Sequence, residues 1–311
     1  MPVRLKKLKV KTVMDQAKVQ EGQALMAEGD KALNKKTFFG SKKPDYDSAV
    51  FAYEQAATCF KVGRAHELAV DAFVKSAECH KNLDSMALAA KQLESAAIIA
   101  VQNLKQYKLG ADLYKQTSDC LLIQNSPDRA AECLEKAGKA MENTDSESAM
   151  EYYLQACDLF EEEDRGRFGT DTFRRTVGLL IIANKLDKAV ALHERLADVF
   201  AKAGNTASFV KTALGVIIIA LYNGDEVDAK NRMAKFNNMH GWISSQEGET
   251  ADEMLRAYEN RDSELLAQAV KRPWINNLEN EITRIARLLA VPGGGKVNGS
   301  GVAEEEDTGI L

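Results

Sequence analysis

Nine times along this chain a small residue is followed, at offsets of 4, 7 and 11, by a large, a small or apolar, and a second large residue. The phrase returns about every twenty positions. It reads Ala49, Tyr53, Ala56, Phe60, then Ala69, Phe73, Ser76, His80, then Ala89, Leu93, Ala96, Ala100. It continues as Gly110, Tyr114, Thr117, Leu121, as Ala130, Leu134, Ala137, Met141, and as Ala149, Tyr153, Ala156, Phe160. Gly169, Phe173, Thr176, Leu180, then Ala189, His193, Leu196, Phe200, then Val210, Leu214, Ile217, Leu221 complete the run. These offsets place four residues on one face of an α-helix. A fixed period over most of a chain marks a repeat array. One helix and turn per twenty residues gives a hairpin about every forty, so each helix is roughly one turn longer than in a tetratricopeptide (TPR) repeat of 34. The small residues let neighbouring helices approach, and the large ones fill the gaps beside them. No single hairpin buries its own apolar face, so stability must come from stacking. The fold class expected is all-α: a TPR-like α-solenoid of antiparallel helical hairpins.

Composition is consistent with that architecture. Of 311 residues, only Pro2, Pro44, Pro127, Pro273 and Pro292 are prolines, which leaves long proline-free stretches open to helix. Turn signals separate the phrases at Gly63, Asn82–Asp84, Asn125–Asp128, Asn143–Asp145, Asn184, Gly204–Thr206 and Asn223–Asp225. Gly and Asn suit the residue after a helix, and Ser, Thr and Asp cap the next one. The phrase weakens after Met239, where segments near Glu249–Asn260, Asp262–Lys271 and Ile275–Ala290 are expected to form a C-terminal helical cap. The organisation expected is a flexible start over 1–12, a solenoid over 13–240 with a loop at 35–44, a cap over 241–291, and an irregular acidic tail over 292–311. No apolar stretch approaches the ~20 residues that a membrane span requires, and the N-terminus lacks the apolar core of a secretory signal. Cys59, Cys79, Cys120, Cys133 and Cys157 are odd in number and have no CxxC spacing. They are expected to be reduced, small core fillers rather than disulfides or metal ligands.

Catalytic motifs are sparse. His66, His80, His193 and His240 are scattered, and two of them occupy phrase positions that favour a structural role. Pro292–Gly–Gly–Gly–Lys296 lacks the spacing, the following Ser or Thr and the strand–helix context of a phosphate loop. The acids Glu161–Asp164 beside Gly166 read as a solvated turn. No enzyme, cofactor, metal or nucleic-acid role is expected.

Two segments stand out. Phe38 and Phe39 lie in a loop bounded by Gly40, Ser41 and Pro44 and flanked by Lys35, Lys36, Lys42 and Lys43, in a region whose first 43 residues carry a net +7. Either the two rings fold back on the first helices or they touch a membrane. Burying each Phe is worth ~1.5–3 kcal/mol and each lysine near an anionic leaflet about 1. The total suits reversible contact rather than anchoring. At the other end, Glu304–Asp307 precede Ile310 and Leu311, either as an inert end or as a docking peptide steered by charge and anchored by the two apolar residues.

Lys43–Pro–Asp–Tyr–Asp–Ser–Ala49, the following Tyr53–Glu–Gln–Ala–Ala57, Val291–Pro–Gly–Gly–Gly–Lys296 and the acidic tail ending in Leu311 together resemble the soluble attachment proteins of the N-ethylmaleimide-sensitive fusion ATPase (NSF), particularly those of the gamma type. The resemblance runs from about Met14 to the tail; Met1–Thr12 has no match. It implies a non-catalytic adaptor that binds SNARE complexes, recruits and stimulates the NSF ATPase, and serves membrane fusion and vesicle-mediated transport, including transport between endoplasmic reticulum and Golgi. It implies a cytoplasmic protein, monomeric alone and peripheral on membranes. Phe38 and Phe39 fall in the apolar loop that touches membrane in the alpha type. Arg174 and Arg175 are the counterpart of its inner-face basic residues for SNARE binding, where another such position is Glu132. Ile310 and Leu311 fall at the ATPase-binding end, which departs from the alpha pattern. The alternative is a generic TPR-type scaffold holding a peptide in its groove.

Overall fold

The computed structural model describes residues 13–35, 43–162 and 169–293. Among these residues every regular element is helical. In chain order the helices are α1 (Val13–Leu33), α2 (Tyr46–Val62), α3 (His66–Asn82), α4 (Met86–Ile99), α5 (Tyr107–Ile123), α6 (Pro127–Met141) and α7 (Ser146–Glu162). Then come α8 (Thr170–Ile182), α9 (Leu186–Lys202), α10 (Thr206–Tyr222), α11 (Glu226–Phe236), α12 (Gln246–Asn260), α13 (Ser263–Ala269) and α14 (Asn280–Ala286). The chain divides into two compact units between Phe173 and Arg174.

In the first unit α1 to α7 pack in sequence, each helix on the next. The repeated phrase is the reason: all its positions are buried except Phe73, which is half-buried. The first helix carries no phrase, yet it joins the stack through Gly22 and Gly29, its two buried residues. A Cβ at Gly22 would stand 2.7 Å from the Phe60 ring. The histidine at the phrase end of α3 is satisfied rather than reactive: His80 Nε2 lies 3.1 Å from Glu54 Oε1, which also accepts from Gln92 Nε2. All five cysteines are buried. Burial pushes the Cys79 and Cys133 thiols up to about 11, so they stay protonated and unreactive.

The turns only partly follow the residue types. Asn125, Asn184, Gly204 and Gly224 adopt positive φ after their helices, as Asn and Gly permit. Gly63 does not: its φ is −75°, and Arg64 takes the left-handed conformation at 56°. Gly63 is small because α1 crosses there; a Cβ would meet Val19 Cγ2 at 2.8 Å and the Asp15 carbonyl at 2.9 Å.

In the second unit α10 is the hub. It packs on α9, α11, α12 and α14, and its residues from Phe209 to Leu221 are almost all buried, which is why its sequence is apolar on every side. Phe209, Phe236 and Trp242 close one end as an edge-to-face cluster with centroids 5.6–6.2 Å apart. The expected helix Ile275–Ala290 is not one helix. A 3₁₀ turn at Pro273–Asn277 is followed by extended Leu278, and α14 starts afresh at Asn280. Pro273 starts the turn, and the Thr283 hydroxyl donates to the Ile275 carbonyl at 2.9 Å, fastening α14 across the break.

Candidate functional site

The two ends of the basic loop meet at a neck. Lys43 N donates to Lys35 O at 2.9 Å and Asp45 N to Ala32 O at 3.1 Å, so the chain leaves and re-enters at adjacent points. Asp45 then caps α2 by accepting from Ser48 N, and its second oxygen takes the Lys35 ammonium at 3.0 Å. The lysine and the capping bond together hold the Asp45 carboxyl below the usual carboxylate range. The charge of Lys35 is thus engaged at the neck, whereas Lys43 is exposed and makes no ion pair among the described residues. A cleft of about 480 Å³ opens beside the neck, between Pro44, Tyr46 and Leu83. Lys36, Phe38, Phe39 and Lys42 lie outside the described residues.

Arg174 and Arg175 sit near the start of α8, and the structure separates them. Successive residues on a helix differ by about 100° in direction. Arg175 is exposed, while Arg174 is half-buried. The Arg174 Nε lies 3.0 Å from Glu279 Oε1, and its guanidinium stands 5.8 Å from the Phe200 ring centroid. Beside this pair is His193, fully buried, with no hydrogen-bond partner on either ring nitrogen. Burial pushes His193 down to about 4; the Glu279 charge opposes that shift and Arg174 adds to it. Glu279 was not legible as a partner, because it lies far along the chain and only the folding back of the cap brings it to α8. On the same helix Gly178 leaves room for the Glu281 side chain, which a Cβ would approach to 3.2 Å.

Where the described chain ends, Tyr222, Tyr258, Leu288 and Pro292 line a cleft of about 260 Å³. Burial pushes the Tyr258 phenol up to about 12, against a hydrogen bond from the Ala290 backbone. Ile310 and Leu311, and the run from Gly294 to Lys296, lie outside the described residues, as do Glu163 and Asp164. Among the described residues no group of three or more His, Cys, Asp or Glu is placed to hold a metal, and no helix is long and apolar enough to cross a membrane.

Chains built on this pattern recur among known proteins. The family model for soluble NSF attachment proteins matches residues 20–272, from α1 into the C-terminal cap. A gamma-soluble NSF attachment protein of Dictyostelium discoideum is 34% identical over 271 residues, covering 87% of this chain and 83% of that protein. One of Arabidopsis thaliana is 29% identical over 245 residues, 79% of this chain and 84% of that protein. A beta-soluble NSF attachment protein of Bos taurus is 24% identical over 306 residues, 92% of this chain and 99% of that protein. The chain belongs to the soluble NSF attachment protein family.

Proposed function

We propose that this protein is a non-catalytic adaptor that binds SNARE complexes and recruits and stimulates the NSF ATPase during SNARE disassembly in vesicle-mediated transport, acting at the cytoplasmic face of membranes. The observation that carries this is the unbroken family match over residues 20–272, which includes the α1–α2 neck, the α8 arginines and most of the cap. Lys35, Lys36, Phe38, Phe39, Lys42 and Lys43 are assigned to reversible membrane contact. Ile310 and Leu311 are assigned to the ATPase. Of the two arginines, Arg175 is the better candidate for SNARE contact, since it is the more exposed.

The test is a titration of NSF ATPase turnover with the protein and a preassembled SNARE bundle. Turnover should rise with the wild-type chain. Deleting Gly309–Leu311 should lower stimulation at sub-saturating protein and leave SNARE binding unchanged, with a loss of about 2 kcal/mol if the two apolar residues are anchors. A wild-type chain that leaves turnover flat and fails to bind the bundle would defeat the proposal and leave a peptide-binding scaffold.

A further inference from the structure

In the first unit α4 does not end as it began. At Ala100–Leu104 the helix widens into a π-helical turn, and it stops at Lys105 in the left-handed conformation, φ 60°. The wider turn presses Val101 against Gly110, a position where no Cβ has room. Such turns are uncommon and recur at functional sites. Here the turn forms one wall of a cleft of about 420 Å³ whose other walls are α5, α6 and the start of the loop after α6.

The polar groups facing this cleft are mostly donors. Tyr114 of α5 is only 7% exposed, lines the cleft, and its hydroxyl makes no hydrogen bond among the described residues. Burial raises the phenol pKa, so at neutral pH it offers a proton rather than a charge. Lys136 is taken by Glu94, Nζ to Oε1 2.7 Å. Lys139, one turn further along α6, lines the same cleft, is exposed, and has no acid partner among the described residues. The Asn143 amide and the Tyr107 hydroxyl are likewise uncommitted there. Val101 and the two tyrosine rings supply apolar wall.

We propose that this cleft is a binding site for a carboxylate-bearing segment of a peptide, with Lys139 and Tyr114 gripping the carboxylate. A single uncompensated cation matches a carboxylate better than a doubly charged phosphate, because the Lys136 charge is already balanced by Glu94. An ammonium, a phenol and an amide are the donor types that pair with an oxyanion. The cleft falls in the size range of ligand pockets, and a groove between stacked helices is the surface on which repeat proteins hold chains. The site is independent of the SNARE and ATPase assignments.

The full chain, with labelled tyrosine rings, is to be titrated by NMR with four probes. These are an acetylated, amidated tetrapeptide with one glutamate side chain, its glutamine counterpart with a free C-terminal carboxylate, the fully neutral version, and inorganic phosphate. At least one carboxylate peptide should shift the Tyr107 and Tyr114 resonances saturably, the neutral peptide should not, and which carboxylate works identifies side chain or chain end. Lys139→Ala and Tyr114→Phe should each weaken binding about tenfold, equivalent to about 1.4 kcal/mol. Tyr114→Phe keeps the ring and removes only the donor, and circular dichroism checks that both variants are folded. Absence of saturation with either carboxylate peptide, equal binding of the neutral peptide, tighter binding of phosphate, or full affinity in Tyr114→Phe would each overturn the proposal.

Discussion

The ring of Tyr53 occupies the space that Gly29 leaves on α1: a Cβ at Gly29 would stand 2.6 Å from Tyr53 Cε1, while the Tyr53 hydroxyl donates to Asp30 at 2.7 Å. The first helix is thus held on the stack by an absence and a hydrogen bond at neighbouring positions. Lys75 of α3 reaches the same Asp30 oxygen at 3.0 Å, so three helices meet on one carboxylate.

Gly29→Ala should therefore destabilise the protein. In an ordinary exposed helix interior the same change stabilises by about 0.5–1 kcal/mol. Here the fully buried Tyr53 ring cannot move aside, and overpacking of this kind costs about 1–3 kcal/mol. Urea unfolding measures the sign. A gain in stability would show that the two helices are not in this contact.

His193 should make stability pH-dependent. Its folded pKa is held at about 4, below the ordinary value of 6.5. Below pH 6.5 the unfolded chain binds a proton at this residue that the folded chain refuses, so stability falls as pH drops from 6.5 to about 4 and then levels off. The full loss attributable to this group is roughly 3 kcal/mol. His193→Leu should flatten that part of the profile, read as the difference between wild type and variant in denaturant unfolding. Parallel profiles would show that the imidazole reaches solvent.

Reversing the α8 arginines one at a time should separate their roles. Arg174→Glu sets a like charge against Glu279 and should lower stability by about 1 kcal/mol, since the pair is only partly shielded from water. Arg175→Glu alters the exposed residue of the two. It should weaken binding to an acidic SNARE bundle by up to ~1 kcal/mol and make the residual affinity less sensitive to salt. Unaltered affinity of the Arg175 variant at low ionic strength would take that residue out of the interface.

Replacing Phe38 and Phe39 together with Ser should weaken binding to anionic liposomes and leave binding to a soluble SNARE bundle unchanged, because only the apolar contribution of roughly 1.5–3 kcal/mol per ring is removed. Liposome flotation checks it. Equal flotation of variant and wild type, with lower thermal stability in the variant, would place the rings against the first helices instead.

The repeated phrase was enough, by itself, to specify the helices, their spacing and nearly all of the buried face from Ala49 to Leu221, because helix periodicity is a local property and burial follows from it. The same locality explains the structural fate of His80, His193 and the five cysteines, all of which occupy or adjoin that face. What the phrase does not carry was decided by tertiary contacts. Gly22 and Gly29 leave no apolar periodicity, and their meaning lies in the Phe60 and Tyr53 rings of another helix. Gly63 does stand in the turn after α2, but with negative φ, and the crossing of α1 is what keeps it small. Arg174 and Arg175 are adjacent in sequence and diverge by helix geometry, and only the return of the cap places Glu279 beside the first. The widened turn after α4, where Val101 packs on Gly110, has no residue signature. The cleft with Tyr114 and Lys139 follows from that packing and is absent from any pattern along the chain.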